Sequence, residues 1–205
     1  MPARGWTKRG GSAIHLLSLL ALGLGAWGCS DSSGGGGFGA FGGAGGVGGM
    51  PTSMLRVAHL AAGVPEVDDT RLDFTVVDEG SFNGISFGRA SRAASLASGV
   101  VQVDVTEPGG GLSLASMSVE LEADVQYTVA AYRNSDEANG TGLMVFDEGT
   151  GGLESGLGRV VIGHAAEDST WASVDVVDVD TDEVLVSDLG LGEQSEPLDF
   201  SAGEH

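Results

Sequence analysis

The sequence contains almost no cysteine: Cys29 is the only one among 205 residues. A single thiol cannot form a disulfide within the chain, so the cross-linked framework of many small secreted domains is excluded. A metal site built from several thiolates is excluded for the same reason. If Cys29 is acylated, the mature chain has no free thiol.

Basic residues are also scarce, since nine Lys and Arg stand against 29 Asp and Glu. Three of the nine, Arg4, Lys8 and Arg9, lie at the N-terminus, and their removal with a signal peptide lowers the formal net charge from −20 to about −23. Such a surface repels phosphate backbones and anionic lipid headgroups. The composition therefore argues against a nucleic-acid partner and against peripheral lipid binding by the folded part, so no nucleic acid is expected among its partners.

No apolar run is long enough to span a bilayer, which takes about 20 residues. The longest run, residues 13–26, follows the basic start and is interrupted by Ser18, Gly23 and Gly25. A basic start, a short apolar run and a small residue at its end, here Gly28, are typical of a cleaved secretion signal. We therefore predict a signal peptide over residues 1–28.

The residues LGAWGC at positions 24–29 resemble the bacterial lipobox, with Ala26 and Trp27 departing from its usual residues. The resemblance implies cleavage before Cys29 and attachment of several acyl chains, which hold a membrane far better than one chain does. Ser30 resembles the residue that directs lipoproteins to an outer membrane. We therefore expect a cell-envelope location with the membrane as partner through Cys29, in the outer membrane if the host has one. The alternative is an ordinary signal peptide followed by a free thiol.

Glycine and serine dominate residues 29–54, which predicts a disordered, flexible tether. For a coil of this length, about 5 to 6 Å times the square root of the residue number gives a reach of roughly 25 to 30 Å. From residue 55 the sequence pattern changes to short runs, either alternating or apolar, that are separated by turn residues. The predicted strands are 55–60, 71–78, 99–105, 112–121, 125–133 and 142–147.

These strands indicate an all-β fold, an immunoglobulin-like antiparallel β-sandwich over residues 55–148. A glycine-rich linker is predicted at 149–158 and a partial second β unit at 159–205. Part of the sequence occurs twice: LRVAHL at 55 returns as VVIGHA at 160, and SFGRAS at 86–91 returns as GLGEQS at 190–195. The spacing is 105 residues from His59 to His164 and 104 from Gly88 to Gly192.

Residues 100–147 have no counterpart in the second copy, so the sequence holds one whole unit and about half of another. Some 47 residues rarely bury enough apolar surface to be stable alone. The predicted strands of the second copy, 160–164, 172–179 and 183–186, carry apolar faces that need to be covered. We therefore expect this segment to pack against the first sandwich or against another molecule.

The repeated stretches resemble the DUF4397 family of bacterial secreted proteins. The resemblance implies an immunoglobulin-like sandwich exported to the cell surface and brings no established chemistry. The family's D-A-P core is replaced by Gly63-Val64-Pro65 in the first copy and by Asp168-Ser169-Thr170 in the second. The residues that carry the resemblance are Arg56, Val57, His59, Val67, Asp68, Phe87, Gly88, Ser91, Tyr127, Thr128 and Val129.

Three aromatic residues have predicted structural roles. Tyr127, six residues after Leu121, resembles the tyrosine corner in which the phenol bonds to nearby backbone; simple core filling is the alternative. His59 and His164 each end an alternating apolar strand face, which favours a buried ring bonded to backbone over a metal pair or a catalytic base. Because the two histidines belong to different units, nothing in the sequence brings them within the reach of one zinc ion.

The carboxylates Asp178, Asp180 and Asp182 have the spacing that opens a calcium-binding loop. The rest of that loop is missing, since Glu183 and Leu189 occupy its sixth and twelfth positions. Weak Ca²⁺ binding and a plain hairpin with outward carboxylates both fit, and no other cofactor is expected. The hairpin is the simpler interpretation.

Two short motifs lack the context their chemistry requires. Ser86 lies in a G-x-S-x-G sequence, but a hydrolase nucleophile needs a strand before it and a helix after it, and the following residues are too short for that helix. The G-x-G-x-x-G match at residues 37–42 lies within the glycine-rich segment, where it arises by chance. The sequence favours a non-catalytic binding or structural module whose partner is an envelope protein or a glycan. The alternatives are an envelope hydrolase using an unrecognised pair of carboxylates and a weak Ca²⁺-binding surface module.

Overall fold

A computed structural model describes residues 51–62, 71–149, 153–167 and 171–201. The predicted signal peptide and most of the predicted tether lie outside these residues. Within them the chain contains strands, turns and no helix, which confirms the all-β prediction. None of the described residues forms a helix able to cross a membrane.

The strands follow one another along the chain from Thr52 to Ser201. They are β1 Thr52–Leu60, β2 Arg71–Val76, β3 Gly80–Ser86, β4 Arg89–Ala90, β5 Ala94–Ala97, β6 Gly99–Thr106, β7 Ser113–Leu121, β8 Gln126–Arg133, β9 Thr141–Asp147, β10 Leu157–Val160, β11 Ser173–Val177, β12 Val184–Gly190 and β13 Leu198–Ser201.

The first nine strands form two sheets that pack face to face. In the first sheet β4 and β5 both pair with β1, which is followed by β8 and β9; the second sheet has the order β3-β2-β6-β7. Alternate residues of each sheet point inward, so Leu55 and Val129 of the first sheet share one fully buried core with Phe74 and Val103 of the second. This arrangement is the predicted β-sandwich.

One strand pair departs from a wholly antiparallel arrangement, because β1 and β8 run parallel from Met54↔Gln126 to Leu60↔Tyr132. Parallel neighbours need a long crossover, and here the chain between them passes through the second sheet. The amide of Met54 donates to the carbonyl of Val125 over 3.0 Å at the start of this pairing. Pairing between strands so far apart in sequence leaves no local pattern, so it was not predicted.

Two strands begin inside segments that the composition predicts as tether and linker. β1 begins at Thr52, inside the predicted 29–54 tether, because Thr52–Leu55 pairs with β5. β10 begins at Leu157, inside the predicted 149–158 linker, because Leu157 and Gly158 pair with β13. Backbone pairing does not require apolar side chains, so a glycine-containing strand end cannot be distinguished from a linker by composition.

The residues after 153 form two further two-stranded sheets, β10-β13 and β11-β12. The residues between their strands pack on the outer face of the first sheet, as expected for a segment too small to stand alone. Val161, Ala165 and Leu191 from this second segment contact a small apolar cluster. The cluster consists of Ala58, Ala130, Tyr132, Met144 and Phe146.

Two glycines allow the second segment to approach the first sheet closely. A Cβ atom at Gly163 would overlap the ring of Phe146, and one at Gly192 would overlap the hydroxyl of Tyr132. A polar contact lies beside them, where the amide of Ser135 donates to the Glu167 carboxylate over 2.8 Å. The prediction that the segment packs against the first sandwich is confirmed for the described residues.

Candidate functional site

Cys29, the predicted lipidation site, lies outside the described residues.

Tyr127 lies at the start of β8 and is 5% exposed. Its hydroxyl accepts a hydrogen bond from the amide of Glu122 over 3.2 Å, which fastens β8 to the turn that follows β7. Burial raises the pKa of the Tyr127 phenol above its ordinary value. The bond has the form of the tyrosine corner that the sequence resembles.

The two histidines occupy equivalent buried positions, with His59 fully buried and His164 5% exposed. Nδ1 of His59 accepts from the amide of Ala61 over 3.3 Å. Nε2 of His164 lies 2.9 Å from the carbonyl oxygen of Trp171. Both rings are thus bonded to backbone within their own segment.

The structure does not bring Asp178, Asp180 and Asp182 together as a metal site. They lie in the turn of the β11-β12 hairpin, where the Asp178 carboxylate accepts from the amides of Asp180, at 2.8 Å, and Thr181, at 3.3 Å. Asp180 and Asp182 are exposed to solvent. Across the described ranges no group of three or more His, Cys, Asp or Glu side chains is placed to hold a metal ion.

Ser86 ends β3, and a turn at Phe87 and Gly88 leads directly into β4. A nucleophile elbow requires a helix at this point. The G-x-S-x-G sequence therefore belongs to a strand-turn-strand connection, and the structure gives Ser86 no elbow geometry.

The second segment repeats the hydrogen bonds of the first sandwich at matched positions. In each pair below the spacing is 104 or 105 residues, and the two distances differ by 0.1 Å or less. The amide of Gly88 donates to the carbonyl of His59 at 2.8 Å, and the matching bond runs from Gly192 to His164 at 2.7 Å. The amide of Ser91 donates to the carbonyl of Val57 at 2.8 Å, and the matching bond runs from Ser195 to Ile162 at 2.7 Å. The amide-to-hydroxyl bonds are Val57 to Ser91 and Ile162 to Ser195, both at 3.0 Å.

The strand registers agree in the same way. Leu55 pairs with Ala94 in the first sheet, and Val160 pairs with Leu198 in the β10-β13 sheet. The isolated bridge between Gly163 and Gln194 matches the pairing of Ala58 with Ala90. Strand β10 thus occupies the place of β1, and β13 that of β5.

The β2-β3 and β11-β12 hairpins share an irregularity held by a carboxylate. In the first, Asp73 accepts from the amide of Gly84 over 2.6 Å; in the second, Asp175 accepts from the amide of Asp188 over 2.9 Å. Gly84 and Asp188 both have positive φ, at 67° and 52°, a conformation that aspartate and glycine tolerate better than most residues. The β11-β12 hairpin therefore occupies the place of the β2-β3 hairpin.

Exposure differs between the two copies at six matched positions, although Leu189 is buried like its counterpart Ile85. Six inward-facing positions of the first sandwich are at most 3% exposed, whereas their counterparts in the second segment are all partly exposed. In the first sandwich, β6 to β9 complete the two sheets around these positions. The partly exposed counterparts, called here the open face, are Val160, Ile162, Val174, Val176, Val186 and Phe200. They match Leu55, Val57, Leu72, Phe74, Phe82 and Leu96 in turn.

The second segment is strongly acidic. From residue 153 to 201 the sequence has twelve Asp and Glu and one basic residue, Arg159. Arg159 is itself paired with Asp199, Nε to Oδ1, at 2.6 Å. Most of the acids that the structure describes are exposed, so the segment that carries the open face is negatively charged at its surface.

The sequence identified some of these features and missed others. It located the second copy from the His59 and His164 spacing and indicated that its strands need covering. It missed Phe200, because the run containing β13 is only four residues long. It also missed the roles of Asp73 and Asp175, since a strand aspartate that bonds an amide eleven or thirteen residues away has no local signature.

A family model with the description "Domain of unknown function (DUF4397)" matches residues 53–171, more than half of the chain. The match starts at the second residue of β1 and ends at Trp171, so it includes β10 as well as the first sandwich. No curated protein matches the chain.

Proposed function

The chain belongs to the DUF4397 family of domains of unknown function, and we propose that it is a cell-envelope lipoprotein that binds another envelope protein through the open face. The proposed role is binding rather than catalysis. The observation that carries it is the partial exposure of six apolar positions in the second segment whose counterparts are buried in the first. Apolar surface left exposed on a folded protein marks interaction sites.

The way the second segment docks supports this role. Val161 and Gly163, which follow β10, contact the first sandwich. They alternate along the chain with Val160 and Ile162, whose side chains therefore point to the other side. Docking thus leaves Val160 and Ile162 on the side away from the first sandwich, and a partner that contacts them need not displace it.

The chemistry of the open face favours a protein over a glycan. Its side chains are aliphatic apart from Phe200, and they offer no hydrogen-bonding groups to sugar hydroxyls. A partner surface that combines apolar and basic residues would match both the apolar side chains of the open face and the acidic segment that carries them. Anchoring at Cys29 with a tether of roughly 25 to 30 Å would hold this surface clear of the lipid headgroups.

Site-specific photo-crosslinking in living cells tests the proposal. A photoreactive amino acid replaces Val186 on the open face, and in a matched control it replaces Val100, which is 72% exposed on the first sandwich. We expect a discrete protein adduct from position 186 and none from position 100. No adduct at 186, or the same adducts from both positions, would contradict the proposal.

A further inference from the structure

We propose that the partner contributes an extended, basic segment that adds to β10 as a parallel strand, in the place that β8 occupies beside β1. This inference rests on the proposed function and specifies how the partner binds. It follows from the equivalence of the two copies. In the first copy β8 pairs with β1, so in the second copy a strand can add at the matching edge of β10.

The edge of β10 is defined by matched backbone groups. The carbonyls of Val57 and His59 face β4, while the amide of Met54 faces β8. Since backbone groups alternate along a strand, the amides of Met54, Arg56 and Ala58 all face β8. The counterparts of Arg56 and Ala58 are Val161 and Gly163, which directly follow β10. Within the part of the chain that the structure describes, β10 is paired with β13 alone.

The side chains of an added strand are specified by the open face. In β8, Tyr127 and Val129 point into the core beside Leu55 and Val57, while Thr128 points outward. If a strand is added in the same place beside β10, every second side chain of that strand points inward. Those side chains need to be apolar, because they would pack against Val160 and Ile162. Such strand addition gains affinity from main-chain hydrogen bonds and specificity from alternate side chains.

The charge of the incoming strand follows from the acidity of the second segment. Twelve acids and one arginine between residues 153 and 201 would repel an acidic segment and attract a basic one. A second copy of this chain is disfavoured by the same argument, because its formal net charge is −20. The partner segment is therefore basic, extended and alternately apolar.

The probe is a nine-residue peptide with the sequence of residues 125–133, carrying Gln126→Lys and Thr128→Lys, added to the purified full chain. Fluorescence anisotropy of the labelled peptide measures binding. The control peptide has Glu in place of both lysines. We expect the basic peptide to bind at least roughly tenfold more tightly and to weaken as salt is added, since exposed charges are screened.

N-methylation of the peptide tests the strand pairing without altering the protein. In β8 the carbonyl of Val125 faces β1 and the carbonyl of Gln126 faces β9, so the amides of Tyr127 and Val129 face β1. Methylating those two amides should weaken binding by roughly tenfold or more, while methylating the amides of residues 128 and 130 should leave it nearly unchanged.

Amide hydrogen exchange supplies a second readout, in which the peptide should protect Val161 and Gly163. Equal binding of the two methylated peptides would overturn strand addition. Strand addition is also overturned if no peptide binds while the Val186 crosslink persists, but that result leaves the proposed function standing. Loss of the Val186 crosslink together with normal peptide binding would instead overturn the proposed function.

Discussion

Ser195 bonds Ile162 twice: its amide donates to the Ile162 carbonyl over 2.7 Å, and its hydroxyl accepts from the Ile162 amide over 3.0 Å. Ser91 and Val57 make the same pair of bonds in the first sandwich. A serine in this position therefore binds both backbone groups of Val57 in β1 and of Ile162, two residues after β10, in the same way.

Replacing Ser195 with Ala should destabilise the second segment by about 1 to 2 kcal/mol, because the partly buried amide of Ile162 loses its acceptor. Denaturant titration followed by Trp171 fluorescence measures the loss, since the other two tryptophans, Trp6 and Trp27, lie in the predicted signal peptide. Ser187→Ala, at an exposed position, is the control and should change stability little. Equal effects of the two substitutions would refute the role given to Ser195.

The docking of the second segment depends on the absence of a side chain at Gly163. Gly163→Ala should weaken docking by about 1 to 3 kcal/mol, because the added methyl meets the Phe146 ring and the Met144 methyl group. The strand itself tolerates alanine, since Ala58 occupies the matching position in β1. Gly158→Ala is the matched control, because a Cβ there would contact nothing within 4 Å.

Gel filtration after cleavage at a protease site inserted between residues 150 and 156 compares the two variants. We expect the cleaved Gly158→Ala protein to remain one species and the cleaved Gly163→Ala protein to separate into two. Co-elution of the Gly163→Ala fragments would show that the contact with Phe146 does not control docking.

Lowering the pH should weaken the docking of the second segment on the first sandwich, because Glu167 becomes protonated. Hydrogen bonds from Ser135, and after them the charge of Arg133, hold the pKa of the Glu167 carboxyl below its usual value. A group with a lowered folded pKa stabilises the docked state above the ordinary glutamate pKa, and this contribution is lost as pH falls through the lowered value.

The separation of the cleaved fragments, followed against pH, should therefore increase in acid, and Glu167→Gln should flatten that part of the profile. Glu154→Gln, at an exposed position, should leave the profile unchanged. Identical profiles for the wild type and Glu167→Gln would exclude Glu167 as a source of the pH dependence.

Much of the fold was predictable because its signals are local. Alternating runs located β1, β2 and β6 to β9, and the spacing of His59 and His164 located the second copy. β3 was missed because Asn83 and Gly84 interrupt the alternation at the irregularity held by Asp73. β4, β5 and β13 have four residues or fewer, too few to show a period.

The remaining features depend on contacts between distant residues. The parallel pairing of β1 with β8 and the approach of Gly192 to Tyr132 leave no pattern in either segment alone. Sequence alone indicated that the second copy has apolar faces to cover. Only the structure shows that docking uses Val161 and Gly163 and leaves Val160 and Ile162 partly exposed.

Lipid attachment is a separate prediction. Cys29→Ala should abolish incorporation of an alkyne-tagged fatty acid and release the protein from the membrane fraction, because the sequence has no other cysteine to acylate. Ser30→Ala, a change at the adjacent residue, should keep the label and serves as the control. Continued labelling of the Cys29→Ala protein would exclude Cys29 as the anchor.

Carbene footprinting with mass spectrometry tests most directly whether a partner covers the open face. The labelling of Val160, Ile162, Val176 and Val186 is compared between the purified chain and the chain in its native envelope, with Val100 and Leu112, exposed on the first sandwich, as internal controls. We expect strong labelling of the open face in the purified chain, its loss in the envelope and equal labelling of the two controls in both. Equal labelling of the open face in both states would show that no partner covers it.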